Sequence, residues 1–458
     1  MCLTTAKFQD FRFLPFSTRV SFFAVISNAN ASQLSARHAA LSSRRGTMES
    51  SLRDLALLAV VLTALVVGGW VGKLVDAPLV GEIVVGMLCG PSGANLLPTY
   101  AVDGVLNVGN LALVLLVMEG GLSVDVGSLR RVGPIAFLIA FAGTGLPIAL
   151  GTAFMVVCGY DATTGVVAGT ALSSTSIGMA TRLMSTFDIL QTELGSLICV
   201  AAMVDDVLSL VILAIITEGL GSGDSGSGSA FALTVATPAL VSIAVVVVAM
   251  VTFHIVPFIM NEWVLKQKVL STPDEHVNTV RKQVLTLFLL FSTTLAFTVT
   301  AGYFGSTHLL GAFVGGLVFS NVKGTAAAWD VNEPTASWLY SVFFLSVGFR
   351  IPLGDMFEVN GFGLGMGYTI PAVVGKLVTG LLVKDRSKAL VIGWAMVGRG
   401  ELGFVMAQSA LINSLISSKP YVACIWALLV ATVVSPIFMK KSLVKWKQES
   451  GDVVTSRP

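Results

Sequence analysis

The sequence predicts an all-α polytopic membrane protein with about thirteen transmembrane helices, interrupted in its core and arranged as an inverted repeat. Three observations carry that prediction. Charged residues make up only 12% of the 458 residues, against about 25% in soluble domains. Hydrophobic residues make up 54%, and the mean hydropathy is +0.84. The apolar residues fall in runs of bilayer length rather than in scattered core positions. A soluble enzyme, a disordered chain and a disulfide scaffold are excluded on these grounds. The net charge of +2 leaves no electrostatic footprint for nucleic acid.

The apolar runs cover 53–73, 78–97, 103–121, 133–158, 162–184, 193–217, 231–258, 284–301, 305–321, 335–349, 363–383, 388–412 and 420–439. Spanning helices need roughly 17–25 apolar residues. The shorter runs suit tilted helices or helices buried in a bundle. Gly221–Ser229 reads as a flexible linker.

Three regions follow. Residues 1–47 hold one acidic residue, Asp10, against six basic ones, with many Ser and Ala. Two readings suit them: a targeting segment, or an extension before a true start at Met48. Residues 53–440 form the transmembrane domain, and 441–458 form a short basic tail.

Loop charge sets the orientation. The connections on one side carry Lys73; Arg130 and Arg131; Lys266, Lys268, Arg281 and Lys282; Lys323; Lys384, Arg386 and Lys388. The connections on the other side carry Arg350 and Lys419 alone. The basic side faces the cytosol, stroma or matrix. The expected location is a plasma membrane or an organelle envelope.

Five cysteines, Cys2, Cys89, Cys158, Cys199 and Cys424, are scattered with no CxxC. They indicate neither a disulfide framework nor a metal centre. No cofactor is expected. With no Walker-type lysine motif, any transport runs on an existing ion gradient.

Loops, termini and tail account for all basic residues except Arg182, Lys376 and Arg399. The intramembrane acids are Glu82, Asp205, Asp206 and Glu401. Charges at membrane depth are expensive and mark ion or proton pathways. Asp205 and Asp206 are adjacent, so on a helix they point about 100° apart. One can face a cavity while the other faces a neighbouring helix. A carboxyl held away from water takes either a proton or a small cation, and can exchange one for the other.

Lys376 lies mid-span and needs an anionic partner, Asp205 or Asp206. Gly398-Arg399-Gly400-Glu401 reads as a helix break. Its two charges suit either an internal ion pair or a gate on the transport path. Ser173-Ser174-Thr175-Ser176 is a second break. Its hydroxyls, Thr175 and Ser176 among them, suit a hard monovalent cation or close helix packing. Glu82, within Gly81-Glu82-Ile83, reads as packing more than as ion binding. The two breaks occupy matching places in the two halves, which is the pattern of an inverted-repeat transporter.

Several segments together resemble the monovalent cation:proton antiporters. They are Pro78–Gly86 with Gly90-Pro91, Leu111–Asp125 with Glu119-Gly120-Gly121-Leu122, Gly311-Ala312-Phe313 with Gly316-Leu317, Phe343-Phe344 with Val347-Gly348, the Asp205-Asp206 pair, Lys376 and Gly398–Glu401. The resemblance spans about 55–440. It implies a homodimer in lipid, each protomer with a dimerisation domain and a moving core, working by elevator-like alternating access. It further implies Asp206 as the carrier of cation or proton, with Na⁺ bound there, and Asp205 as the partner of Lys376. The adjacent acidic pair resembles the electrogenic sodium/proton branch. The expected function is exchange of H⁺ for Na⁺, with K⁺ or Li⁺ as other substrates, and no enzymatic activity. An organic-anion symporter or a channel is the rival reading.

Overall fold

The computed structural model describes residues 53–73, 77–124, 126–190, 192–216, 228–260 and 275–449. The chain divides into two compact units, residues 1–63 and 64–458. The first is described only from Arg53, as the beginning of helix α1 (Arg53–Lys73). The expected segment 1–47 lies outside the described residues.

The described residues hold helices and no strands. After α1 come α2 (Pro78–Cys89), α3 (Thr99–Leu122), α4 (Val126–Val157), α5 (Ala162–Ala171), α6 (Ile177–Thr186), α7 (Glu193–Ala214), α8 (Gly228–Ile259) and α9 (Glu275–Tyr303). The second half contains α10 (His308–Phe319), α11 (Thr325–Asp330), α12 (Glu333–Phe349), α13 (Leu353–Phe357), α14 (Val359–Leu377), α15 (Arg386–Val397), α16 (Glu401–Ile412) and α17 (Ser418–Glu449). A 3₁₀ turn, Val378–Leu382, extends α14.

Local chemistry fixes the boundaries. Asp161, Thr192, Thr307 and Asp385 each accept a bond from a backbone N–H in the first turn of α5, α7, α10 and α15. Pro78 starts α2, where its missing N–H costs nothing, and Gly90-Pro91 ends it.

That ending corrects the expected span 78–97, because the helical part stops at Cys89. Among the described residues, eight helices are long and apolar enough to cross a bilayer, and nine if the bent pair α15–α16 is one span. Every expected run coincides with a helix, but several are too short to cross as single rods. Runs 162–184 and 388–412 each divide in two at their polar residues, and run 305–321 shortens to the twelve residues of α10. The expected tail is helical as far as Glu449, as the end of α17.

Two bundles form. In one, α3 packs on α10 and α12, α12 on α2, and α10 on α8 and α9. The close approach of α3 and α10 is reciprocal: Gly121 lies against the Phe313 carbonyl and Gly316 against the Met118 carbonyl, where no Cβ fits. In the other bundle, α4 packs on α5, α7 and α14, while α17 packs on α14 and α15. The apolar outer surface faces lipid. On α8, Leu240, Ile243, Val247, Val251 and Ile255 are 50–64% exposed at helical spacing. In water such a stripe would be an association hazard; in a bilayer it is the natural exterior.

Candidate functional site

The two broken helices cross at their breaks. The Ser176 N–H donates to the Gly398 carbonyl at 2.9 Å. A Cβ on Gly400 would stand 2.8 Å from the Thr175 carbonyl oxygen, and one on Gly403 2.8 Å from the Ala171 carbonyl. Glycine is therefore what lets the two chains touch. The crossing gathers four helix ends: the C-termini of α5 and α15 and the N-termini of α6 and α16. The first two present carbonyls with partial negative charge, and the second two present N–H groups with partial positive charge.

Arg399 answers the carbonyl side. It is fully buried, and its guanidinium donates to the carbonyls of Leu172, at the C-cap of α5, and Ala372 on α14. The Ser174 carbonyl lies at 3.5 Å. Of the two expected readings of Arg399 and Glu401, an internal ion pair or a gate, these contacts do not make the pair. Glu401 instead occupies the first turn of α16, where a carboxylate faces the positive end of the helix. The separation follows from the break itself, since Arg399 lies before the α16 N-cap and Glu401 after it.

Beside the crossing sits a buried ion pair. Lys376 Nζ on α14 donates to Asp205 Oδ2 on α7 at 2.9 Å, with neither side chain exposed. Thr144 on α4 donates to Asp205 Oδ1 at 2.7 Å. Lys376 also donates to Thr175 Oγ1 at 2.8 Å. Gly143 on α4 packs against the Lys376 side chain, where a Cβ would stand 3.4 Å from Nζ. Four segments thus converge on one cation and one anion. The Thr175 hydroxyl is engaged by the ammonium, and Ser176 Oγ caps α6 by accepting from the Met179 N–H at 3.4 Å.

Asp206 takes the other direction. It is partly exposed where Asp205 is fully buried. A cavity of about 1670 Å³ is lined on α7 by Ser196, Cys199, Val200 and Met203. That spacing is one helical face, and Asp206, three residues past Met203, stands at its edge. Asp206 interacts electrostatically with Glu401, Asp205 and Lys376. The cavity wall also holds Glu82, Glu119, Ser176, Glu401 and Thr432. Exposed Lys73, Lys440 and Lys441 line it too, so it opens toward the basic side.

Several residues of the site escaped sequence reasoning. Glu119 accepts from the Tyr340 hydroxyl across α3 and α12. Glu82, read from the sequence as packing more than ion binding, accepts from the Ser341 hydroxyl at 2.6 Å. From the sequence Glu119 stood out only within the Glu119-Gly120-Gly121-Leu122 motif. Thr144 had a signal, a hydroxyl between Gly143 and Gly145 in an apolar run, but one threonine in a helix has many uses.

The chain is similar to known proteins along most of its length. A family model described as "Sodium/hydrogen exchanger, transmembrane" covers residues 76–443. The chain is 26% identical over 351 residues to the high-affinity Na⁺/H⁺ antiporter NhaS3 of Synechocystis, covering 75% of this chain and 72% of that protein. It is 23% identical over 398 residues to a Na⁺/H⁺ antiporter of Enterococcus hirae, covering 84% of this chain and 97% of the relative. The fold is similar to that of the sodium proton antiporter MjNhaP1 from Methanocaldococcus jannaschii, with a TM-score of 0.57 at 16% identity, over 85% of this chain and 98% of the other.

Proposed function

The chain belongs to the sodium/hydrogen exchanger family; it is an integral multi-pass membrane transporter rather than an enzyme, and we propose that it exchanges H⁺ for a monovalent cation, Na⁺ before K⁺ or Li⁺, by alternating access. The observation that carries this reading is the division of labour between two adjacent carboxylates. Asp205 is spoken for by Lys376 and Thr144. Asp206 is half-buried at the edge of the α7 face that lines the cavity, with no such partner among the described residues.

Asp206 is the carrier. A carboxylate at this depth must be neutralised, either by a proton or by a cation. The two compete for the same oxygens, so one leaves when the other arrives. That competition couples the two fluxes without any cofactor. Ser176 and Glu401 line the same cavity and supply oxygen ligands for a partly dehydrated cation. Arg399 and the Lys376–Asp205 pair hold the crossing together, so the ligand geometry survives when the bundle moves. With the cavity open toward the basic side, the protein is in an inward-facing state.

The protein works as a homodimer in lipid, with residues 53–440 as the exchanging unit. Chemical cross-linking in native membranes tests the dimer. The function is tested in proteoliposomes by dequenching of a pH dye on adding NaCl, KCl or LiCl. Exchange driven by Na⁺ supports the proposal. A response to an organic anion and to none of the three cations would replace it with the symporter.

A further inference from the structure

One polar contact beyond the cavity joins α12 to α16. Tyr340 and Ser341 on α12, and Glu401 on α16, line the cavity. Arg350 lies nine residues beyond Ser341, and Gln408 seven beyond Glu401. At 1.5 Å per residue these are advances of roughly 13 Å and 10 Å. There the two bundles meet. With its amide oxygen toward the guanidinium, Gln408 accepts from Arg350 Nε at 2.9 Å and from Nη1 at 2.7 Å. Both residues are half-buried.

Arg350 is unusual by position. It belongs to the side of the membrane that is almost empty of basic residues. Its own N–H closes α12 on the Val347 carbonyl at 3.2 Å, so its backbone is anchored while its side chain reaches across. A guanidinium matches a single carbonyl oxygen with two parallel donors, which a lysine cannot do. α12 belongs to the bundle of α2, α3 and α10, and α16 packs on α5 and α17 in the other. The fork is therefore a tie between the two bodies on the side opposite the opening.

We propose that the Arg350–Gln408 fork is the outer latch of the transporter: it holds the inward-facing state and must open for the cavity to alternate. Arg350 is a positioning residue, touching neither ion. The proposal rests on the alternating-access reading above, and its first test needs no transport.

Cys199 is a native reporter, because it lines the cavity and is partly exposed. In purified full-length protein with Cys2, Cys89 and Cys158 changed to serine, a water-soluble maleimide labels Cys199. Arg350→Ala and Gln408→Ala are expected to slow that labelling at least threefold, and Arg350→Lys to slow it as well. Unchanged labelling in both alanine variants would overturn the proposal. The readout is labelling and not ion flux, which separates this outcome from failure of the carrier assignment. In a second arm, Arg350→Cys with Gln408→Cys, on a background with Cys199 also changed to serine, is bridged by a short flexible bis-methanethiosulfonate. Bridging is expected to cut exchange at least tenfold, and a thiol reductant to restore it. Bridged protein that exchanges as fast as unbridged protein would show that the contact persists through the cycle, and the latch would be wrong.

Discussion

Lys376 and Asp205 lie 2.9 Å apart with both side chains fully buried, 171 positions apart in the chain. The pair joins α7 to α14, and Thr144 and Thr175 complete it from α4 and the α5–α6 break. A buried pair of this kind stabilises mainly in the sense that neither half can be removed alone.

Lys376→Ala is therefore expected to destabilise the protein by about 3–5 kcal/mol, the usual consequence of an uncompensated buried charge. The double variant Lys376→Met with Asp205→Asn should recover much of that loss. Melting curves of the two purified proteins in detergent decide it, and equal curves for both would sink the pairing account.

Asp206→Asn should abolish cation-coupled proton flux while the protein still inserts and melts near wild type. The amide cannot take up a proton or balance a cation at membrane depth. The pH-dye assay in proteoliposomes measures this, and normal Na⁺-driven flux in the variant would move the carrier elsewhere.

Gly400→Ala tests the crossing. The added methyl would meet the Thr175 carbonyl at 2.8 Å, and overpacking of this kind costs about 1–3 kcal/mol. Gly178→Ala, where a Cβ meets nothing within 4 Å, is the matched control. Lower thermal stability and lower exchange are expected for Gly400→Ala alone.

Thr144→Val removes one hydrogen bond to Asp205 and leaves the ammonium in place. The expected loss is about 1–3 kcal/mol, the cost of an unsatisfied buried acceptor, with exchange retained. A loss as large as that of Lys376→Ala would mean that Thr144 does more than share the carboxylate.

Asp161, outside the membrane, caps α5. The Thr164 hydroxyl and backbone N–H donate to its carboxylate at 2.7 and 2.9 Å. These bonds lower its pKa from the ordinary carboxylate value. Because the folded form binds the proton less readily, the contribution is present above the unfolded pKa and fades as pH falls through the folded one. Asp161→Ala should lower the melting temperature slightly at neutral pH, with the difference from wild type shrinking in acid. A constant difference across that range would argue against the charged cap.

The sequence by itself determined the fold class, the two breaks in the core helices and the burial of Asp205, Lys376 and Arg399. Each of these is a local or compositional property. A run of apolar residues must be helical in lipid because its backbone has no other partners. A buried lysine must find an anion. Four hydroxyls or a Gly-Arg-Gly-Glu stretch cannot continue an apolar helix unnoticed.

Other partners lay beyond it. Helix spacing alone left Lys376 free to meet either aspartate; the family resemblance implied Asp205, and the rotation of α7 against α14 is the physical reason for it. Arg399 and Glu401 suited either an internal ion pair or a gate. The crossing sends one to the carbonyls of Leu172 and Ala372 and the other to the cavity. Glu119 with Tyr340, Glu82 with Ser341 and Arg350 with Gln408 join helices distant in the chain. Hydropathy decides that a residue is in the membrane; only the packing of one helix face on another decides what it touches there.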